Sequence, residues 1–440
     1  MLGRFLKTHR FACLAGLFIL LELLGWSLSP LSRSLAPETF LGTAQVMLAT
    51  HALPVRFDYP PLVPVVMYGL MQVFHQTTLN LILFNGGALL LAAAAFYFLL
   101  VQLPLSGRER LGVFIAAFLN PYFLWLVFIS KDTVFEAGFL FLFFALAYRV
   151  LGREDQERLQ SSRAVALILA LVAVGTLGFL CRVTTLFAAL VGCVMFFLLA
   201  KTSGKKIFAG VFVGLLCTGA LFAGFNASRG GGFTLSTTLG LDVLYGNHPL
   251  YDYGHPRHDI DVFIPGAISP DASEVDNYTP ANNTRFLKLG LDYIRARPMA
   301  FFMHSIEKSY WLWFNFEKIP NLSSNTQIIS LVGDTLTLKL SNVNYASSLF
   351  YLLYKLVYVP VFLFALIVLI CFNRLILWRL AALLAPIISL WPIVVLTFPD
   401  TRFKIVGELL AVPFIYIAAK YGVMALRASR DKLIERQIGG

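Results

Sequence analysis

Charge is what this sequence has least of. Asp, Glu, Lys and Arg make up 13% of it and hydrophobic residues 58%, with a mean hydropathy of +0.74. A soluble domain is about one-quarter charged, so the shortage excludes a water-covered surface for a chain of 440 residues and leaves an integral membrane protein. Acidic residues are scarcer than basic ones, 24 against 35. The +11 formal charge does not read as a nucleic-acid surface, because the Lys and Arg residues fall in short runs between apolar segments. There they set topology and meet anionic lipid head groups. Cysteines are few: Cys13, Cys181, Cys193, Cys217 and Cys371 lie in or beside apolar stretches at no paired spacing, which speaks against a zinc site or a disulfide framework. No internal repeat is evident, which weakens an inverted-repeat transporter reading. No small-residue cleavage site precedes Pro30 either, so the basic start and apolar run of residues 1–29 are expected to form a retained first helix.

What the chain has in quantity is apolar segments of spanning length. They occur near 11–29, 79–102, 111–129, 133–150, 164–181, 184–200, 207–225, 346–372, 375–397 and 404–421, which predicts about ten transmembrane helices. With Arg4, Lys7 and Arg10 in the cytoplasm and sides alternating, Arg108, Arg110, the cations of 153–163 and 201–206, Arg374, Arg379 and the tail from Arg427 all fall inside. The alternation requires that 60–74 does not cross. Its Pro60, Pro61 and Pro64 suit the entry of an interfacial or half-inserted helix rather than mid-membrane helix. The outer side then receives the loop 30–58, Lys131 with Asp132, the long segment 226–345 and residues 399–402. The long segment reads as a polar subdomain or lid containing one helical stretch over 283–313.

Candidate chemistry gathers on that side. The stretch 30–62 carries Glu38, Arg56 and Asp58, and ends in Asp58-Tyr59-Pro60-Pro61-Leu62. Glu38 stands near a helix start, where the macrodipole alone would favour a carboxylate. Asp58 is followed by a dipeptide that fixes the backbone and aims its side chain, although an ordinary helix cap would also use it. Lys131 and Asp132 sit between two apolar runs with almost no loop, Arg182 interrupts two more, and Arg402 and Lys404 open the last. Cations at an outer face run against the usual bias, and a lipid-borne phosphate gives them a reason. Lys404 can equally be snorkelling. In the long segment, Asn247 and His248 are followed by His255, His258, Asp259 and Asp261, at no spacing that matches a dedicated zinc pattern. Lys308 lies in a pattern of basic and aromatic residues, Tyr293 to Trp313, that ends near the interface.

Taken in order, these motifs resemble the membrane glycosyltransferases of the GT-C superfamily. The nearest type is family 39, which includes protein O-mannosyltransferases and the aminoarabinose transferase of lipid A. The resemblance is carried by the acidic loop after the first helix, Tyr59-Pro60-Pro61-Leu62, Asn120-Pro121 followed by Lys131-Asp132, Arg182 within a helix pair, Gly246-Asn247, the Tyr293 to Trp313 pattern and Thr401-Arg402. It implies an all-α GT-C-like bundle in the bacterial inner membrane with its site facing the periplasm. It also implies a polyprenyl-phosphate sugar donor, a glycan, lipid or protein acceptor, and a loop carboxylate as base. Two positions depart from the family: its adjacent Asp-Glu pair is here Pro37-Glu38, and Tyr59 stands where Lys or His is common.

The expected base is Glu38 or Asp58, with Asp132 orienting the acceptor or a divalent metal. Arg56, Tyr59, Lys131, Arg182, Asn247, His248, Lys308 and Arg402 are expected to bind substrate, and no other cofactor is implied. The expected organisation is an N-terminal transmembrane module over 1–225, an external subdomain over 226–345 and C-terminal helices with a cytoplasmic tail over 346–440. Two rival classes use the same lipid-phosphate chemistry. A lipid-linked glycan flippase would want cations along a path through the membrane, and an O-antigen-type polymerase or ligase would rely on arginines more than on carboxylates.

Overall fold

The computed structural model describes residues 13–17, 19–20, 38–51, 60–74, 77–120, 123, 126–127, 132–154, 161–228, 232–236, 238–248, 280–314, 329–332, 335–338, 345–372, 375–397 and 401–438. These are helical almost throughout. The helices are α1 (Glu38–Thr50), α2 (Leu62–Val73), α3 (Thr77–Gln102), α4 (Gly107–Phe118), α5 (Asp132–Glu154), α6 (Ser161–Cys181), α7 (Val183–Leu199) and α8 (Thr202–Ser228). They continue as α9 (Leu239–Asn247), α10 (Pro280–Ala296), α11 (Pro298–Phe314), α12 (Tyr345–Phe372), α13 (Leu375–Ala381), α14 (Ala385–Leu396) and α15 (Thr401–Ile438). The class is all-α as expected, and among the described residues the only strands are a short antiparallel hairpin, β1 (Ile329–Val332) with β2 (Thr335–Leu338).

Among the described residues seven helical segments are long and apolar enough to cross a membrane: Ile82–Gln102, Asp132–Gly152, Ser162–Cys181, Thr202–Ser228, Leu353–Cys371, Leu377–Leu396 and Lys404–Ala428. The chain is therefore a multi-pass membrane protein. The difference from ten has local causes. The run 11–29 lies largely outside the described residues. Within 111–129, α4 stops at Phe118, and Asn120 turns its side-chain oxygen to accept from the Phe123 backbone N–H. Pro121 has no N–H with which to continue the ladder. The run 184–200 is α7, whose 17 residues reach about 25 Å, short of a hydrocarbon core of about 30 Å. The last two runs are spans, but 375–397 is broken by a 3-10 turn at Ala382–Leu384 before Pro386.

Side-chain register fixes how the spans run. Phe84 meets Phe135 and Phe96 meets Phe141, so α3 and α5 are parallel. Glu136 meets Thr184 and Tyr148 meets Phe196, so α7 runs the same way. Lys355 meets Glu408 and Phe362 meets Phe414, which aligns α12 with α15. Helices α6 and α8 run side by side in the opposite sense, Gly175 against Leu215 and Val172 against Gly214. A Cβ at either glycine would overlap the facing side chain. In lipid, where burial from water no longer drives association, such close approach supplies the packing.

This register collects the starts of α3, α5, α7, α12 and α15 and the ends of α6, α8 and α14 at one end of the bundle. Helix α2, at 12 residues, reaches only about 18 Å and cannot span. Ala44 of α1 with Val63, Met67 and Met71 of α2 packs on Phe84 and Cys181, at that same end. The turn into α3 is closed by buried Asn80, which donates to the Phe74 carbonyl at 2.8 Å. At the opposite end Ser106 and Glu109 form a capping box on α4, and Glu109 also accepts from Lys420 at 2.6 Å and Tyr416 at 3.1 Å. The hydrogen bonds from Lys420 and Ser106 hold the Glu109 carboxyl down at about 2.

Segment 283–313, expected as one helix, is two. Pro298 ends the backbone ladder, leaving Arg297 between α10 and α11. Helices α9 and α10 share a small apolar cluster of Leu241, Leu244, Tyr245 and Phe286, apart from the main core.

Candidate functional site

Two buried ionic groups lie at the end where α3, α5, α7 and α15 begin. The first joins α5 to the α6–α7 junction. Arg182 breaks the helix with extended backbone and stands as the N-cap residue of α7. Its guanidinium donates to the Thr133 hydroxyl at 2.6 Å and faces Asp132 at 3.9 Å and Glu136 at 3.7 Å. The other Glu136 oxygen accepts from Thr184 at 2.6 Å and Thr185 at 3.3 Å. Asp132 and Glu136 are one helical turn apart, so both carboxylates face one guanidinium, and all three are largely buried. Breaking a buried pair by removing one partner costs about 3–5 kcal/mol, so the arrangement holds Arg182 in place. Cys181 and Phe135, each next to a member of this group, pack against α1 and α2. Helices α1 and α2 are thereby anchored beside the α6–α7 junction.

The second group lies where α14 gives way to α15. Glu408, 0% exposed, pairs with Lys355 of α12 and lies 4.0 Å from Lys404, which donates to the Leu312 carbonyl of α11. Beside it the last carbonyls of α14 are taken up by the long segment. Lys308 donates to Val395 at 2.9 Å and to the Asn247 side-chain oxygen at 3.4 Å, while the Asn247 amide donates to Leu396 and Val243 at 2.7 Å. Helix dipoles favour a cation there. Gly246 is required at this contact, since any Cβ would overlap the Thr397 carbonyl. Lys308 is wholly buried, which pushes its ammonium down to about 7. Burial also lowers His248, whose ring lies edge-on to Tyr293 at 5.4 Å.

Of the expected site residues, Asp132 and Arg182 come together in the first group, and Asn247, His248 and Lys308 gather near the second. The backbone of Glu38 opens α1 and that of Arg402 opens α15, both at this end, with side chains outside the described ones. Arg56, Asp58, Tyr59 and Lys131 lie outside the described residues, as do His255, His258, Asp259 and Asp261. Glu136, Lys355 and Glu408 escaped the sequence reading, although each is a charge inside an apolar run, which is itself a signal. A divalent metal does not fit the described residues: nowhere among them do three His, Cys, Asp or Glu side chains converge, and the carboxylate beside Asp132 shares its guanidinium.

What the fold and this end define is a polytopic membrane protein with buried charge of both signs concentrated toward one face. No protein-family model, curated protein or solved structure matches the chain. A functional reading therefore rests on motif order and on the chemistry of this end.

Proposed function

We propose that the protein is a membrane glycosyltransferase that moves a sugar from a polyprenyl-phosphate donor to a glycan, lipid or protein acceptor at the face where α5 and α7 begin. The observation that carries this reading is the held guanidinium of Arg182, flanked by Asp132 and Glu136, with the adjoining Cys181 and Phe135 packed on the α1–α2 unit. Transfer from a lipid phosphate needs a cation for the charge that develops on the leaving group and a carboxylate for the acceptor's proton. Arg182 supplies the first, with Lys131 and Arg402 reaching the same phosphate. Glu38 or Asp58 supplies the second. Asp132 and Glu136 hold Arg182 in position. Asn247 and Lys308 act by keeping the long segment seated on α14, and Arg56, Tyr59 and His248 line the substrate. The positive-inside pattern makes this the outer face, which in a bacterial inner membrane is the periplasmic one.

The test is mass spectrometry of the surface glycans and lipid-linked intermediates of a strain lacking the protein. Loss of one sugar unit from a surface glycan, with the undecorated acceptor still exported, is the expected result. Full-length glycan precursors accumulating on the cytoplasmic side would turn the reading to a flippase. Chains cut to a single repeat unit would turn it to a polymerase.

A further inference from the structure

The two consecutive helices of the long segment expose opposite chemistries. On α10 the outward stripe is Arg285, Lys288, Asp292 and Arg295, at the spacing of one helical face. On α11 it is Met299, Phe302, Met303, Ile306 and Tyr310, each between 52% and 71% exposed. Their spacing places all five within a single stripe. The polar pair of this helix, His304 Nδ1 and Glu307 Oε2 at 3.0 Å, sits on its flank, and Lys308 and Leu312 are buried on its back. A helix resting on a water-covered surface has the reverse arrangement.

The neighbour of α11 identifies what covers the stripe. Trp391 lies on α14, a membrane-spanning helix, and its indole N–H donates to the Ser309 hydroxyl of α11 at 2.9 Å. Trp391 and Ile388 are themselves exposed on the outward face of that span. The apolar stripe of α11 thus continues a surface already turned to lipid. Trp391 is only five residues before the end of α14 at Leu396, about 8 Å along the axis, which sets α11 at interfacial depth.

We infer that α11 lies in the boundary between head groups and acyl chains, its stripe immersed in lipid, while α10 stands in water. The membrane surface passes between them at Arg297, and the exposed Arg285, Lys288, Asp292 and Arg295 of α10 face water. The helix lies on the membrane and does not cross it. Its middle and last turns touch the α14–α15 junction through Lys308, Ser309 and Leu312.

The test is photocrosslinking of the full chain in vesicles of phosphatidylethanolamine and phosphatidylglycerol, with benzoylphenylalanine placed singly at Phe302, Ile306, Lys288 or Asp292. Illumination should attach phospholipid, read by intact mass, at Phe302 and Ile306, with at least tenfold less at Lys288 and Asp292. Outward positions leave the packed faces intact, so two sites per helix guard against one misfolded variant. Equal lipid labelling on both helices would overturn the inference. So would chain-to-chain crosslinks at Phe302 and Ile306, which would make the stripe a contact between copies.

Discussion

Lys308 makes the sharpest energetic prediction, because two effects oppose each other there. Burial disfavours its ammonium, while the Val395 carbonyl and the Asn247 side-chain oxygen favour it. If burial prevails, the group falls from its ordinary 10.5 to about 7 in the folded protein. At about 1.4 kcal/mol per unit, the displacement is a folding penalty on the order of 5 kcal/mol where both states are charged. In the unfolded chain the proton stays on until pH 10.5, whereas in the folded chain it leaves near 7. Between those values the unfolded state binds more protons, so stability rises with pH. Below about 7 the full penalty stands and the contribution is flat.

Lys308→Met keeps the stem and removes the titration. The difference in unfolding free energy, wild type minus variant, should climb by about 3 kcal/mol from pH 7.5 to 10. His248, held below its ordinary value by burial, titrates beneath that window and does not contribute. Mixed-micelle unfolding followed by far-ultraviolet circular dichroism gives the global value. Hydrogen exchange on α11 gives the local one, should the helix lift before the bundle opens. A difference that stays flat to pH 10 would refute the reasoning and mean that the two acceptors hold the ammonium against burial.

Arg182→Met should destabilise by about 3–5 kcal/mol by leaving Asp132 and Glu136 facing each other, and adding Glu136→Gln should restore a large part; additive effects in the unfolding cycle would show that the pair does not interact. Lys355→Met should cost a similar amount, about 3–5 kcal/mol, with recovery in the double variant carrying Glu408→Gln, and the same unfolding measurement decides it. Gly246→Ala must push α9 off the Thr397 carbonyl, so exchange protection of α9 should fall while that of α5 and α7 does not change. Single cysteines at Thr50, Thr77 and Asn282 should all react with an impermeant maleimide from one side of the membrane and one at Lys205 only from the other. Reaction of Thr50 and Thr77 from opposite sides would mean that α2 crosses.

The parts of the fold legible in the sequence are those that hydropathy alone decides. The run 79–102 is α3 to within two residues at its start, and 164–181 is α6 to within three, because a spanning segment needs only length and greasiness. The non-crossing α2 was legible for a different reason, the charge bookkeeping of every later loop. Interruptions were harder to see. Asn120 ends α4 by turning its side chain onto the backbone ahead, and the 3-10 turn at Ala382–Leu384 interrupts a stretch that is apolar on both sides of it. At the site, Arg182 stood out because it separates two apolar runs, whereas Glu136 is embedded in one. Its meaning comes from Thr184 and Thr185, nearly fifty positions away, and no local pattern encodes that contact. Lys355 hid in the same way, a lone charge in its run whose partner, Glu408, is on another helix. Arg402 illustrates a different limit: sequence reasoning set it at the mouth of α15, where its backbone lies, without fixing what its side chain touches.

The longest helix has a mechanical consequence. Helix α15 is tied down twice, at Glu408 by Lys355 and at Lys420 by Glu109. Those ties are twelve residues apart, about 18 Å along the axis, one toward each end of the bundle. Tilting or sliding α15 as a whole would break one of these ties, and Pro413, which lies between them and removes a backbone hydrogen bond, is where the helix can bend without breaking either. By contrast, α9 and α11 meet the end of α14 through the polar contacts of Asn247, Lys308 and Trp391.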